Sequence, residues 1–142
     1  MSVLSPLVIA HRGASGRFPE HTEAALVAAL DEGADVIEVD VVATADGVLV
    51  ARHDWALSVT TDVAERDGFA AAYQAREGRF GPVTDWWVDL VTSSDMAALR
   101  ARERWPQVRP SSASADGRWP VLTLVEVLRL ARREADARRR PV

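Results

Sequence analysis

His11 and Arg12 follow a short apolar run, Glu38 and Asp40 alternate through a second one, and His53 follows a third. Two imidazoles can exchange protons near neutral pH. Two carboxylates spaced i, i+2 share one face of a strand and can hold a hard cation. A guanidinium matches a pair of anionic oxygens. A cation, an arginine and two histidines together form the set that phosphodiester cleavage needs. Positive charge neutralises the phosphoryl oxygens, one histidine takes the nucleophile's proton and the other protonates the leaving oxygen.

Taken singly, each residue has a plainer role. A histidine at a strand end is usually structural, and an isolated E-x-D usually faces solvent from an edge strand. Glu20 suits a helix-dipole carboxylate just ahead of Thr22, and His21 is assigned no chemistry. The argument for a site comes from the elements. Leu7 to Ala10 ("LVIA") predicts a strand buried on both faces. Thr22 predicts an N-cap for a helix running to about Glu32, with Leu26, Ala29 and Leu30 inward and Gly33 as its stop. Val36 to Val42 ("VIEVDVV") predicts the next strand, and the three together predict a βαβ unit. Both faces of such a sheet are covered, so Glu38 and Asp40 need a partner, and a cation supplies one. In α/β folds, chemistry gathers beyond the carboxyl ends of the strands, where His11 and Arg12 fall.

Further along, "TADG" (Thr44 to Gly47) predicts a hairpin turn returning through Val48 to Ala51 toward "RHD". Leu57 to about Thr92 reads as a long irregular excursion in which Trp86 and Trp87 could line a pocket. Ser94 to Glu103 reads as a short amphipathic helix and Pro106 to Gly117 as a loop. Thr123 with Glu126 forms a capping box that opens a last helix, with Leu124, Leu128 and Ala131 on one face.

Composition narrows the classes. The 142 residues are 48% hydrophobic and 27% charged, as in a globular domain, and the net charge of −4 favours neither nucleic acid nor an anionic membrane. There is no cysteine, which excludes disulfides, thiol catalysis and thiolate metal sites. A metal site must then use oxygen and histidine ligands, which favours Ca2+ or Mg2+. No lysine occurs. The start, "MSVLSPLVIA", lacks the basic region of a signal peptide, and no apolar stretch is long enough for a membrane span. The expectation is a cytoplasmic protein, or a secreted one if its natural start lies upstream.

The order "HRGASG", "PEHT", "GADVIEVD", "TADG", "VARHD" and "TTDVAE" resembles the glycerophosphodiester phosphodiesterase family, in its longer bacterial branch. "DLVTSSDMAALRARERWPQVRP" and "WPVLTLVEVL" are similar to that branch's insertion and the helix after it, so the resemblance covers nearly the whole chain. It implies an α/β fold of the TIM-type (β/α)8 barrel family, here the N-terminal part of the barrel with a long insertion, as one incomplete domain over residues 1–142. It implies hydrolysis of glycerophosphodiesters to glycerol 3-phosphate and an alcohol, with a divalent cation, Ca2+ or Mg2+. By position, His11 and His53 match the acid/base histidines and Arg12 the phosphate-contacting arginine. Glu20 matches a supporting glutamate, and Glu38 and Asp40 match two metal carboxylates.

The resemblance also implies an E-x-K strand beyond the "TLVEVL" helix, carrying a third metal carboxylate and a lysine. A full barrel takes about 250 residues. The expectation is therefore a marginally stable or self-associating chain, weakly active by itself. Two other readings remain. One is a non-catalytic remnant or interaction module of the same fold. The other is a related barrel lipase acting on lysophospholipids.

Overall fold

The computed structural model describes residues 6–142. Strand β1 (Ile9–His11) lies parallel to β2 (Val36–Glu38), with His11 opposite Glu38, and helix α1 (Glu23–Asp31) connects them. This is the expected βαβ unit. Thr22 caps α1 by accepting from the Ala25 amide, and Gly33 leaves the helix at φ +96°. Ala25, Leu26, Ala29 and Leu30 are its buried face, as the helical period requires.

The second predicted strand breaks in two. After Glu38 the chain changes partner: the Arg52 amide donates to the Asp40 carbonyl, and β3 (Val41–Ala43) pairs antiparallel with β4 (Leu49–Ala51). The "TADG" turn closes this hairpin, with Gly47 at φ +79°. The prediction that the first strand is buried on both faces is wrong. Leu7, Val8 and Ile9 are 70%, 56% and 60% exposed, because β2 is the only strand paired with β1 among the described residues. The six strands form three two-stranded ladders, and no closed barrel is present among the described residues.

The excursion is more ordered than its sequence suggests. It contains a second hairpin, β5 (Tyr73–Gly78) with β6 (Gly81–Trp86). The Tyr73 ring lies against Trp86, 4.3 Å between centroids and tilted by 44°, and the Arg76 guanidinium sits 4.7 Å over the Trp87 ring while pairing with Asp89. Helix α2 (Ser93–Ala98) starts at a Thr92–Asp95 capping box but ends five residues before the predicted Glu103. Tertiary pairing ends it: the Arg100 amide donates to Asp62 Oδ1 and the Ala101 amide to the Trp119 carbonyl, which draws the segment out straight. A one-turn helix, α3 (Pro110–Ala113), interrupts the predicted loop.

The capping box of Thr123 and Glu126 opens α4 (Leu124–Arg138) as expected. Its buried residues are Val127 and Leu130, whereas Leu128 is exposed. Val127 and Leu130 pack with Leu26, Ala51 and Leu122, so the position of α1 and β4 selects this stripe. A second core gathers Val42, Val50, Leu57, Val63, Met96 and Leu99 beneath the excursion.

Gly13 fixes how β1 enters the following turn. Its φ is +79°, and a Cβ there would lie 2.6 Å from the Ala25 carbonyl carbon. Helix backbone cannot yield to that clash. Gly13→Ala is expected to destabilise the chain by about 2 kcal/mol or more, read as a lowered urea midpoint. An unchanged midpoint would show that this approach is not tight in solution.

Candidate active site

The parallel register sets His11 beside Glu38 at the carboxyl ends of β1 and β2. Arg12 and His21 both adopt φ of +62°, a left-handed conformation that non-glycine residues rarely take. Backbone bonds over-determine it: the Arg12 amide donates to the Glu38 carbonyl at 3.0 Å, and the His21 amide to the Arg12 carbonyl at 3.1 Å. These bonds fold the 12–21 loop back so that Arg12, Glu20 and His21 all reach the strand ends.

Two groups of side chains result. In the first, His11, Glu38 and Asp40 each offer one ligand atom, all within 4.8 Å of one another. Asp40 Oδ2 is buried without a hydrogen bond; Arg12 Nε at 3.0 Å and His21 Nε2 at 3.3 Å stand near it, off the hydrogen-bonding angle. The contacts are thus Coulombic, and the carboxylate retains acceptor capacity. An oxygen-and-imidazole donor set with an unsatisfied carboxylate oxygen fits a hard divalent cation.

The second group is a chain of alternating charge. His53 Nδ1 lies 2.7 Å from Asp54 Oδ1, and Asp54 Oδ2 lies 2.5 Å from Arg104 Nη2. Arg104 also donates to Glu20 through Nη2 at 2.7 Å and Nε at 3.3 Å. Glu20 accepts in turn from Arg12 Nη1 at 3.3 Å. The run His53–Asp54–Arg104–Glu20–Arg12–Asp40 ties the loop after β4, the extended segment after α2 and both parallel strand ends into one network. Beneath it, buried Arg52 donates to the carbonyls of Asp54 and Ala56 and to Thr60 Oγ1, which holds the loop bearing His53. Burial lowers the Arg52 pKa to about 10, so it stays charged near neutrality.

Burial alone would raise the carboxyls of Glu20 and Asp54. Arg104 and Arg12 outweigh it at Glu20, and His53 and Arg104 outweigh it at Asp54, so both lie below their ordinary values. Burial pushes the His21 imidazole down to about 4, against the pull of Glu20 and Asp40, so it is neutral near pH 7. For carboxyls lowered on folding, stabilisation is fully present above the unfolded values of 4.5 and 3.8 and is lost as pH falls through the lower folded values. Urea midpoints across pH 3 to 8 are expected to fall first below about pH 6.5, because His21 must stay neutral in the fold, and to fall further below about 4.5, where Glu20 and Asp54 take up protons. Arg104→Gln should flatten the second fall; an equal fall in the variant would place those acid-labile groups elsewhere.

Every site residue read from the sequence lies in one of these groups, with two changes of emphasis. His11, read as a proton carrier, stands within ligand distance of the two carboxylates. Glu20, read as a substrate contact, has its carboxylate occupied by two arginines. Sequence reasoning missed Asp54, Arg104 and His21. Asp54 had a signal, because a carboxylate directly after a functional histidine can orient its ring. Arg104 had none, being one of three arginines in "RARER".

An α/β unit with a His–Glu–Asp cluster of metal-ligand type and an arginine–histidine network at its parallel strand ends is the class this chain defines. It belongs to the glycerophosphoryl diester phosphodiesterase family, whose model matches residues 11–139. It is 35% identical over 126 residues to a glycerophosphodiester phosphodiesterase of Arabidopsis thaliana, covering 89% of this chain and 33% of that protein. A probable glycerophosphodiester phosphodiesterase of Mycobacterium tuberculosis is 48% identical over 82 residues, 58% of this chain and 30% of its own length. The crystal structure of a glycerophosphodiester phosphodiesterase from Agrobacterium tumefaciens superposes with a TM-score of 0.65 at 29% identity, covering 92% of this chain and 44% of that one. An Oleispira antarctica phosphodiesterase, solved with the product sn-glycerol-3-phosphate, gives a TM-score of 0.62 at 27% identity over 92% of this chain and 41% of its own. The chain thus spans about a third of the length of these curated relatives and less than half of these solved chains.

Proposed function

We propose that the chain serves as a glycerophosphodiester phosphodiesterase, hydrolysing glycerophosphodiesters to glycerol 3-phosphate and an alcohol. The continuous network from His53 to Asp40, abutting the His11–Glu38–Asp40 cluster, is the observation that carries this reading. A relative solved with glycerol 3-phosphate supports it. Residues 1–142 are read as a single domain unit of the family's TIM-type barrel, acting on a small soluble substrate in the cytoplasm. Among the described residues, no helix is long and apolar enough to cross a membrane.

Glu38 and Asp40 would hold Ca2+ or Mg2+. When bound, the cation neutralises charge growing on the phosphoryl oxygens. Arg12 faces the phosphodiester's anionic oxygens, and Glu20 and Asp40 orient its guanidinium. The nucleophile is water or the substrate's own glycerol hydroxyl. One of His11 and His53 takes its proton as the new P–O bond forms. The other gives a proton to the departing alcohol oxygen as the old P–O bond breaks. With water as nucleophile the products are the phosphomonoester and the alcohol. With the hydroxyl, a cyclic phosphate forms first and the histidines exchange roles in opening it.

The test is glycerol 3-phosphate release from glycerophosphocholine, with Ca2+ or Mg2+ and again with a chelator. Chelator-sensitive release supports the reading, and no release from a folded chain sinks it. A second reading, a non-catalytic interaction module of the same fold, draws on the exposed Leu7, Val8, Ile9, Val125 and Leu128. Such a surface suits self-association. It predicts an oligomer by sedimentation and no release under either condition.

A further inference from the structure

We propose that Arg104 is a positioning residue for His53, acting through Asp54, a role that rests on the phosphodiesterase reading above. Arg104 is contributed by the extended segment after α2, 84 positions from Glu20 and 50 from Asp54, and its side chain is 15% exposed. Its Nη2 lies 2.5 Å from Asp54 Oδ2, off the hydrogen-bonding angle, and also donates to Glu20 Oε1, while Nε donates to Glu20 Oε2. Glu20 is 7% exposed and also held by Arg12, so it anchors the guanidinium.

The consequence falls on the His53 ring. An ionised carboxylate only accepts, so Asp54 Oδ1 requires the proton on His53 Nδ1. Nε2 is then the nitrogen free to exchange a proton with substrate. His53 is half exposed, and Asp54 is its direct neighbour in sequence, so the pair by itself could turn as a unit. The Arg104 charge, 2.5 Å from the opposite carboxylate oxygen, restrains that motion through an ion pair.

Arg104 is itself fixed. Buried Glu103 accepts from the Trp105 amide and from Ser112 Oγ, and its own amide donates to Asp116 Oδ1. The Arg102 amide donates to the Thr60 carbonyl. The residues on both sides of Arg104 are therefore tied to the body of the chain. A lysine could not serve equally, because it lacks the second donor, Nε, that holds Glu20 while Nη2 faces Asp54.

The test reads the ring directly in the full chain, labelled with 15N-histidine. Only three histidines occur, and His53→Asn assigns the signal. At a pH where the ring is neutral, His53 is expected to show one dominant tautomer, with the proton on Nδ1. Arg104→Gln and Asp54→Asn are expected to lower the Nδ1–H to Nε2–H ratio about tenfold, with Arg104→Lys between them and the wild type. A wild-type ratio in an Arg104→Gln chain whose amide spectrum remains folded overturns the proposal. Should Arg104→Gln fail to fold, Arg104→Lys decides, and an unchanged ratio there overturns it equally.

Turnover supplies the second readout. Arg104→Gln is expected to lower kcat on glycerophosphocholine about tenfold or more, with a smaller change in KM. A wild-type kcat in a folded Arg104→Gln chain would overturn a role through His53. A chain with no turnover but an Arg104-dependent tautomer would sink the phosphodiesterase reading and leave the positioning role standing.

Discussion

His53→Ala is expected to lower glycerol 3-phosphate release by about 10²- to 10⁴-fold without unfolding the chain. The size follows from losing a positioned proton carrier at the transition state. The retained fold follows from burial. His53 is half exposed, and its side-chain partner among the described contacts is the adjacent Asp54. Removing the ring leaves no cavity in either core. Arg52, which holds the local backbone through Asp54 and Ala56, is untouched. The measurement is kcat on glycerophosphocholine beside the urea midpoint of the same variant. A loss below threefold would remove His53 from the chemistry. A collapse of the midpoint would make it a structural residue after all.

Asp40→Asn is expected to abolish cation binding and to lower turnover by about 100-fold or more. Asp40 sits where three demands meet: the His11–Glu38 cluster, the Arg12 guanidinium and the His21 ring. An amide keeps the shape but removes the charge that the His11–Glu38 cluster and the Arg12 guanidinium use. Calorimetric titration with Ca2+ and with Mg2+ checks the first expectation, and rates with excess cation check the second. His11→Gln is the informative comparison. As a proton carrier, His11 would lose turnover and keep cation affinity; as a ligand, it would lose both. Cation affinity unchanged in Asp40→Asn would place the metal site elsewhere.

Elements governed by local chemistry were legible before any coordinates. Thr22 and Gly33 bound α1, "TADG" makes a hairpin, and the Thr123–Glu126 box opens α4, because each signal acts within four residues of chain. The elements that were misread answer to distant partners. Nothing in "VIEVDVV" says that the chain leaves β1 for β4 after Glu38. Nothing in "SDMAALRARE" says that Asp62 and Trp119 pull Arg100 and Ala101 into extended pairing. Helix α4 carries apolar residues on more than one stripe, and only the placement of Leu26 and Leu122 decides that Val127 and Leu130 go inward.

The same division runs through the site. Residue type and strand-end position pointed to His11, Arg12, Glu38, Asp40 and His53 as candidates, because proton transfer, anion binding and cation binding each demand particular side chains, whereas Glu20 entered only through the resemblance of "PEHT" to the family motif. The tertiary structure alone decided what joins them. Arg104 comes from a segment whose arginines look alike in sequence, and only the fold brings one of them between Glu20 and Asp54. His21, read as a loop residue, becomes a buried neutral imidazole against Asp40 once the left-handed turn at Arg12 closes. Chemistry is written in side-chain identity, which a sequence displays. Electrostatic coupling depends on distances between residues far apart in the chain, and those exist only after folding.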